Sequence, residues 1–132
     1  MRVMLDTNVL LSALLFPNTK MNSIMNYIFT HHQLVLSSYV VDELKQVIKR
    51  KFPSKEKAIN KLLMLMSFEY VYTPNELEND LFYIRDIKDY PVLYTDIIED
   101  IDILITGDKD FSDINIHNPE IMSPSQFMEN FL

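Results

Sequence analysis

Asp6 interrupts an apolar run, MLDTNVLLSALLF, that extends from Met4 to Phe16. A buried carboxylate is costly unless it is paired or bound to a metal, so an acid between two pieces of core calls for a chemical reason. Three more acids stand in comparable places. Asp108 follows the apolar triplet Ile103–Ile105 after only Thr106 and Gly107. Gly107 is the single glycine of the chain, placed where backbone must turn sharply or approach something closely. At about 100° per residue, Glu43 falls on the border of the Val40, Leu44 and Val47 stripe, whereas Asp42 points to solvent. Asp89 precedes Tyr90-Pro91 and a helix bearing Val92 and Leu93, where the positive end of the helix favours an ionised carboxylate.

Taken singly, each acid has a plain structural use. Asp6 and Asp89 serve as helix caps, Asp108 as a turn residue, and Glu43 as a solvated helix acid. Brought together, four carboxylates repel one another unless cations intervene. An all-oxygen ligand set suits Mg²⁺ or Mn²⁺. The histidines His31, His32 and His117 make no metal spacing with any acid pair, and the chain has no cysteine to supply thiolate ligands or a nucleophile. Asp110, two residues from Asp108, is the additional acid best placed to join them.

The elements that must position these acids follow from periodicity. Strand patterns occur at Arg2–Leu5, Leu34–Leu36, Phe68–Tyr72, Ile103–Ile105 and Glu120–Met122. Helical patterns lie between them. One is capped by Thr7 or Asn8 and ended by Pro17-Asn18, and a second covers Met21 to Phe29. A third opens at Ser37-Ser38, and a fourth runs from Lys55 to about Ser67. A short one is expected near Glu76 to Tyr83, one runs from Pro91 to about Glu99, and a last one starts at Ser123-Pro124. Strands alternating with helices predict an α/β fold, a three-layer α/β/α arrangement around a central, mostly parallel sheet. Ligands of such sheets bind beyond the carboxyl ends of the strands. That rim is where Asp6 and Asp108 fall.

The 132 residues suit a single domain, residues 1–132, and 48 % hydrophobic composition is ample for a core. No apolar run approaches the roughly eighteen residues of a membrane span, and no address signal is evident, so a cytoplasmic protein is expected. The net charge of −7 argues against nucleic-acid binding by bulk charge. Yet Lys45, Lys49, Arg50, Lys51, Lys55, Lys57 and Lys61 face only Glu56 within their segment, which is locally +6 and leaves −13 for the rest. Such a stretch is able to follow a phosphate backbone, or simply to face water.

The stretches LDTNVLLSALL, SSYVVDELKQVI, RDIKDYPVLYTDI and DILITGDKDF, in that order, resemble the successive motifs of the PIN-domain family. Within it they are most similar to the toxin components of toxin–antitoxin pairs. The resemblance implies a PIN-like parallel sheet between helices and a Mg²⁺- or Mn²⁺-dependent ribonuclease site. It places the family's acids on Asp6, Glu43, Asp89 and Asp108, with Asp6, Asp89 and Asp108 as the main metal ligands. Asn8 matches the polar residue that braces the first acid, Thr106 the hydroxyl beside the last, and Asp110 an acid that contributes in some members. The implied reaction is hydrolysis of an RNA phosphodiester, with Glu43 completing the metal shell or orienting the attacking water. Lys45, Lys49, Arg50 and Lys51 would hold single-stranded RNA. An antitoxin is the implied partner, and self-association is compatible with the family. The chain departs from the family's small alanines after Pro91, where it carries Thr95 and Ile101-Asp102.

Two alternatives are weaker. A non-catalytic PIN-like protein that binds RNA or a partner has no need of all four acids. A receiver-type signalling domain needs a phosphoacceptor Asp on a middle strand, where this chain has Ser37-Ser38 and Thr73-Pro74.

Overall fold

A computed structural model describes residues 1–132. Five strands form one sheet: β1 (Arg2–Leu5), β2 (Gln33–Ser37), β3 (Glu69–Val71), β4 (Ile103–Ile105) and β5 (Glu120–Met122). Their order is β3-β2-β1-β4-β5, and every neighbouring pair is parallel. Val3, Met4 and Leu5, Leu34 to Leu36, and Ile103 to Ile105 are all buried. Continuous burial along a strand means that both faces of the sheet are covered, so the apolar triplets of the sequence are the core of an α/β/α sandwich.

The covering helices are α1 (Thr7–Leu15), α2 (Thr19–His31), α3 (Ser38–Lys51), α4 (Glu56–Leu65), α5 (Tyr90–Ile98) and α6 (Pro124–Phe131). Their starts are set by local chemistry. Asp6 caps α1 itself, accepting from Val9 N at 2.8 Å, in place of the expected Thr7 or Asn8. Asn18, Ser37 and Ser123 cap α2, α3 and α6 in the same way, and Ser123 forms a reciprocal capping box with Gln126. No helix is long and apolar enough to cross a membrane.

One expected helix is absent. Residues 76–83 form bends and turns instead, held against the start of α5. Phe82 stacks on Tyr90 with centroids 4.4 Å apart, and the Tyr90 hydroxyl donates to Glu78 O while accepting from Leu81 N at 3.3 Å. Their charged residues Glu76, Glu78 and Asp80 stay in solvent. Smaller shifts concern boundaries. Residues Pro53–Lys55 are a 3₁₀ turn before α4, and β3 is shorter than the five residues expected.

The order of strand addition reverses at β1. It steps outward through β2 and β3, then returns to place β4 on the other side of β1. The carboxyl ends of β1 and β4 flank that switch point, which is the usual ligand crevice of a parallel open sheet.

Candidate active site

Asp6 leaves β1 at this crevice, fixed by its backbone N donating to Ile105 O at 3.1 Å. Its side chain is buried, and the Thr106 hydroxyl donates to Oδ2 while Val9 N donates to Oδ1. Burial pushes the Asp6 carboxyl above its ordinary range. The Thr106 and Val9 hydrogen bonds pull the other way, and the charges of Asp108 and Glu43 raise it further. The expected brace, Asn8, is exposed and makes no hydrogen bond to Asp6; Thr106 and Val9 do that work. Thr7 and Glu43, 36 positions apart in sequence, are joined by a hydrogen bond from the Thr7 hydroxyl to Glu43 Oε1. Thr7 was invisible as a site residue in sequence except for its place beside Asp6.

Across the crevice, the segment after β4 folds back on itself. Asp108 N donates to Thr106 Oγ1 at 3.0 Å, and Asp110 N donates to Asp108 Oδ1 at 2.9 Å. The side chain of Asp108 thereby caps a 3₁₀ turn, Lys109–Phe111. Asp89 ends another 3₁₀ turn, Ile87–Asp89, whose cap is Asp86. Asp89 is pushed up to about 7, first by burial and then by the Asp108 carboxyl beside it, with the charges of Asp86 and Asp110 adding to this. Its Oδ2 is buried without a partner.

The structure therefore brings Asp6, Glu43, Asp89 and Asp108 to one rim, with Asp108 acting on both Asp6 and Asp89. The carboxylates whose oxygens converge most tightly, within 4.8 Å of one another, are Asp86, Asp89 and Asp110. Only Asp89 belongs to the ligand trio inferred from sequence. Asp110 also pairs with exposed Arg85 at 2.9 Å. Asp86 was overlooked, though its signal was present: in RDIKD it stands three residues before Asp89, and residues i and i+3 of a 3₁₀ turn are eclipsed. Tyr39 is a further overlooked neighbour, one helical turn before Glu43 on α3. Its hydroxyl donates to Lys88 O at 3.0 Å, and burial together with the charges of Glu43, Asp89 and Asp86 pushes its pKa up.

The basic residues lie elsewhere. Lys49, Arg50 and Lys51 form the last turn of α3, roughly 20 Å along its axis from the rim where the helix starts, at 1.5 Å per residue. There they complement the negative end of the helix. Lys45 and Lys49 line a groove of about 380 Å³ between α3 and α4, which they share with Asp42 and Glu56.

Asp96 makes no hydrogen bond to any of these. It lies on α5 seven residues after Asp89, thus on the same helical face, and is 0 % exposed with neither carboxylate oxygen hydrogen bonded. Burial raises its pKa well above the ordinary value, and the charge of Asp6 raises it further.

The folded protein holds a proton on Asp89 over a range where the unfolded chain has released it. Stability without divalent cations is therefore expected to fall as pH rises from 3.8 to about 7. In EDTA the melting temperature should be higher at pH 5 than at pH 8, and Asp89→Asn should reduce that difference. An undiminished difference in the variant would assign the pH dependence to other groups.

Comparison with known proteins places this geometry in a family. The PIN domain model matches residues 2–110, and the chain belongs to the PIN domain family. A search of curated proteins finds no match. Among solved structures, VapBC2 from Rickettsia felis bound to a DNA fragment from its promoter is similar with a TM-score of 0.73 at 19 % identity, covering 93 % of this chain and 98 % of that one. FitAcB from Neisseria gonorrhoeae gives 0.65 at 16 % identity, with coverage of 93 % and 98 %. VapC20 from Mycobacterium tuberculosis, a toxin that cleaves the sarcin-ricin loop, gives 0.60 at 10 % identity, with coverage of 83 % and 92 %. At these identities the likeness is one of fold.

Proposed function

We propose that this chain is a metal-dependent endoribonuclease and the toxin of a toxin–antitoxin pair acting in the cytoplasm. The observation that carries the proposal is the convergence of Asp6, Glu43, Asp89 and Asp108, with Asp86 and Asp110, on the rim at the switch point of a PIN domain sheet. The kinship of fold with a loop-cleaving toxin and with VapBC2 on promoter DNA supports the cellular role and an antitoxin partner.

The residues fit a divalent cation. An all-carboxylate set with a buried, unpartnered oxygen on Asp89 offers hard oxygen donors whose mutual repulsion a cation relieves. Asp6, Asp89 and Asp108 would hold Mg²⁺ or Mn²⁺, with Asp86 and Asp110 in reach. When bound, such an ion supplies neutralisation of the phosphate and acidification of a water molecule. The chain's own part is to aim the acids. Thr106 and Val9 N set the direction of Asp6, and Thr7 sets that of Glu43. Glu43 is left to accept a proton or orient water through its other oxygen. Lys45, Lys49, Arg50 and Lys51 extend the RNA track along α3, away from the cut.

Cleavage of single-stranded RNA should appear with Mg²⁺ or Mn²⁺ and vanish in EDTA. Full activity in excess EDTA, with contaminating nuclease excluded, overturns the proposal. Binding should also depend on salt. Replacing Lys49, Arg50 and Lys51 by Ala is expected to reduce the slope of log affinity against log salt by about 0.7 for each lost phosphate contact. An unchanged slope would leave these residues as a solvated helix end.

A further inference from the structure

Two hollows meet at the strand end that carries Asp108. The larger, about 540 Å³, lies between the segment after β4 and the approach to β5, and reaches the start of α6. The smaller, about 370 Å³, is lined by Asn8, Val9, Ser12, Met21 and Pro124. Gly107 and Asp108 line both, so they form the saddle between them.

Gly107 is the only glycine among 132 residues, yet neither its conformation nor its packing demands one. Its φ is not positive, and a Cβ built there would meet nothing within 4 Å. What the missing side chain leaves bare is the outer surface of the saddle, which a crossing ligand would touch.

The larger hollow has a distinct chemistry. Phe111, Ile114 and Ile116 supply apolar wall, while Ser112, His117 and Asn118 bring hydroxyl, imidazole and amide groups. Lys109 is the one lysine or arginine in its lining, and Asp108 and Glu120 oppose it, so a phosphate is poorly served there. A flat, neutral ring with hydrogen-bonding edges is well served. The volume falls within the roughly 300–1,000 Å³ of small-ligand sites, and single-stranded RNA is recognised by bases splayed from the stack and bonded at their edges.

We propose that the hollow under the segment joining β4 to β5 receives one unstacked nucleobase next to the bond that is cut, the RNA crossing the bare backbone of Gly107 to reach it. This rests on the ribonuclease proposal and adds to it a position at which the RNA sequence is read. His117 and Asn118 are the edge-reading groups, and Gly107 is the point of close approach.

The test uses the full chain carrying Asp6→Asn, in EDTA, so that RNA is bound and not cut. Fluorescence anisotropy would measure binding of labelled rA6, rC6, rG6 and rU6 to this parent, and to the parent with His117→Ala or Gly107→Val added. Circular dichroism would confirm that each is folded; both positions are exposed. The parent should separate the best and worst hexamer by about tenfold, the scale of one good base contact. Each added change should bring the four within about threefold, and His117→Ala should leave the salt slope unaltered, as expected for a base rather than a phosphate contact. Equal binding of all four hexamers by the parent overturns the base pocket while leaving the nuclease proposal standing. So does a preference that survives both changes. If the parent binds no hexamer and the unmodified protein cuts no RNA, the nuclease proposal fails and the pocket fails with it.

Discussion

Asp6→Asn is expected to give a folded protein that cleaves RNA at least about 100-fold more slowly than the parent, the scale on which loss of one well-placed electrostatic group registers in catalysis. The fold should tolerate the change because every hydrogen bond of Asp6 has a counterpart. Asn Oδ1 still accepts from Val9 N, since Asn caps helices as well as Asp. The amide Nδ2 then faces the Thr106 hydroxyl, which turns from donor to acceptor and keeps its bond from Asp108 N on a second lone pair. The variant also removes a charge that burial disfavours, so its melting temperature in EDTA should equal or exceed that of the parent. Rate and melting together decide the case. A slow variant that melts much lower would mark Asp6 as a structural cap, and a stable variant of normal rate would remove it from the chemistry.

Asp96→Ala is expected to stabilise the protein by about 2 kcal/mol at pH 7, within the roughly 1–3 kcal/mol that an unsatisfied buried polar group costs. For a chain of this length that is roughly 5–10 °C in melting temperature. The reason is the fully buried carboxyl, which makes no hydrogen bond to any neighbour. Alanine removes the unsatisfied group, favours the helix, and leaves only a small void. The gain should grow with pH. A raised carboxyl pKa means that the folded state keeps its proton where the unfolded chain has lost it, so the parent loses stability as pH rises from the unfolded value towards the folded one. The variant lacks that loss. Thermal melts at pH 5 and pH 8 measure it, and a variant less stable than the parent at both would mean that Asp96 has a partner it needs.

The acids at strand ends were legible because an apolar triplet announces a buried strand, and the next polar residue must then lie at its tip. That holds for Asp6 after Val3–Leu5 and for Thr106 to Asp108 after Ile103–Ile105, and the β1–β4 pairing that joins them is what the alternation of strands and helices allowed. Ser37 and Ser123 were equally legible as caps. The site's fine placement was not. Which carboxylate oxygens converge depends on two 3₁₀ turns, Ile87–Asp89 and Lys109–Phe111, and such turns have no hydrophobic period to betray them. Residues 76–83 misled for the opposite reason: their acids and Leu77 imitate a helix start, while the stack of Phe82 on Tyr90 and the Tyr90 hydroxyl tie them to the start of the next helix. Asp96 was hidden because YTDII reads as a helix with a polar edge, and only packing shows that the edge faces inward.

The hydrogen bond from Thr106 to Asp6 joins groups one hundred residues apart, and it has a counterpart in time. Chains leave the ribosome from the amino end at about 5–20 residues per second. β1, β2 and β3 emerge early, and β4 must still slide in beside β1 before Asp108 can meet Asp6 and Asp89. Until then the growing polypeptide carries Asp6 and Glu43 without their opposing wall. Whatever the completed rim can do is thus withheld from every copy not yet extended past β4.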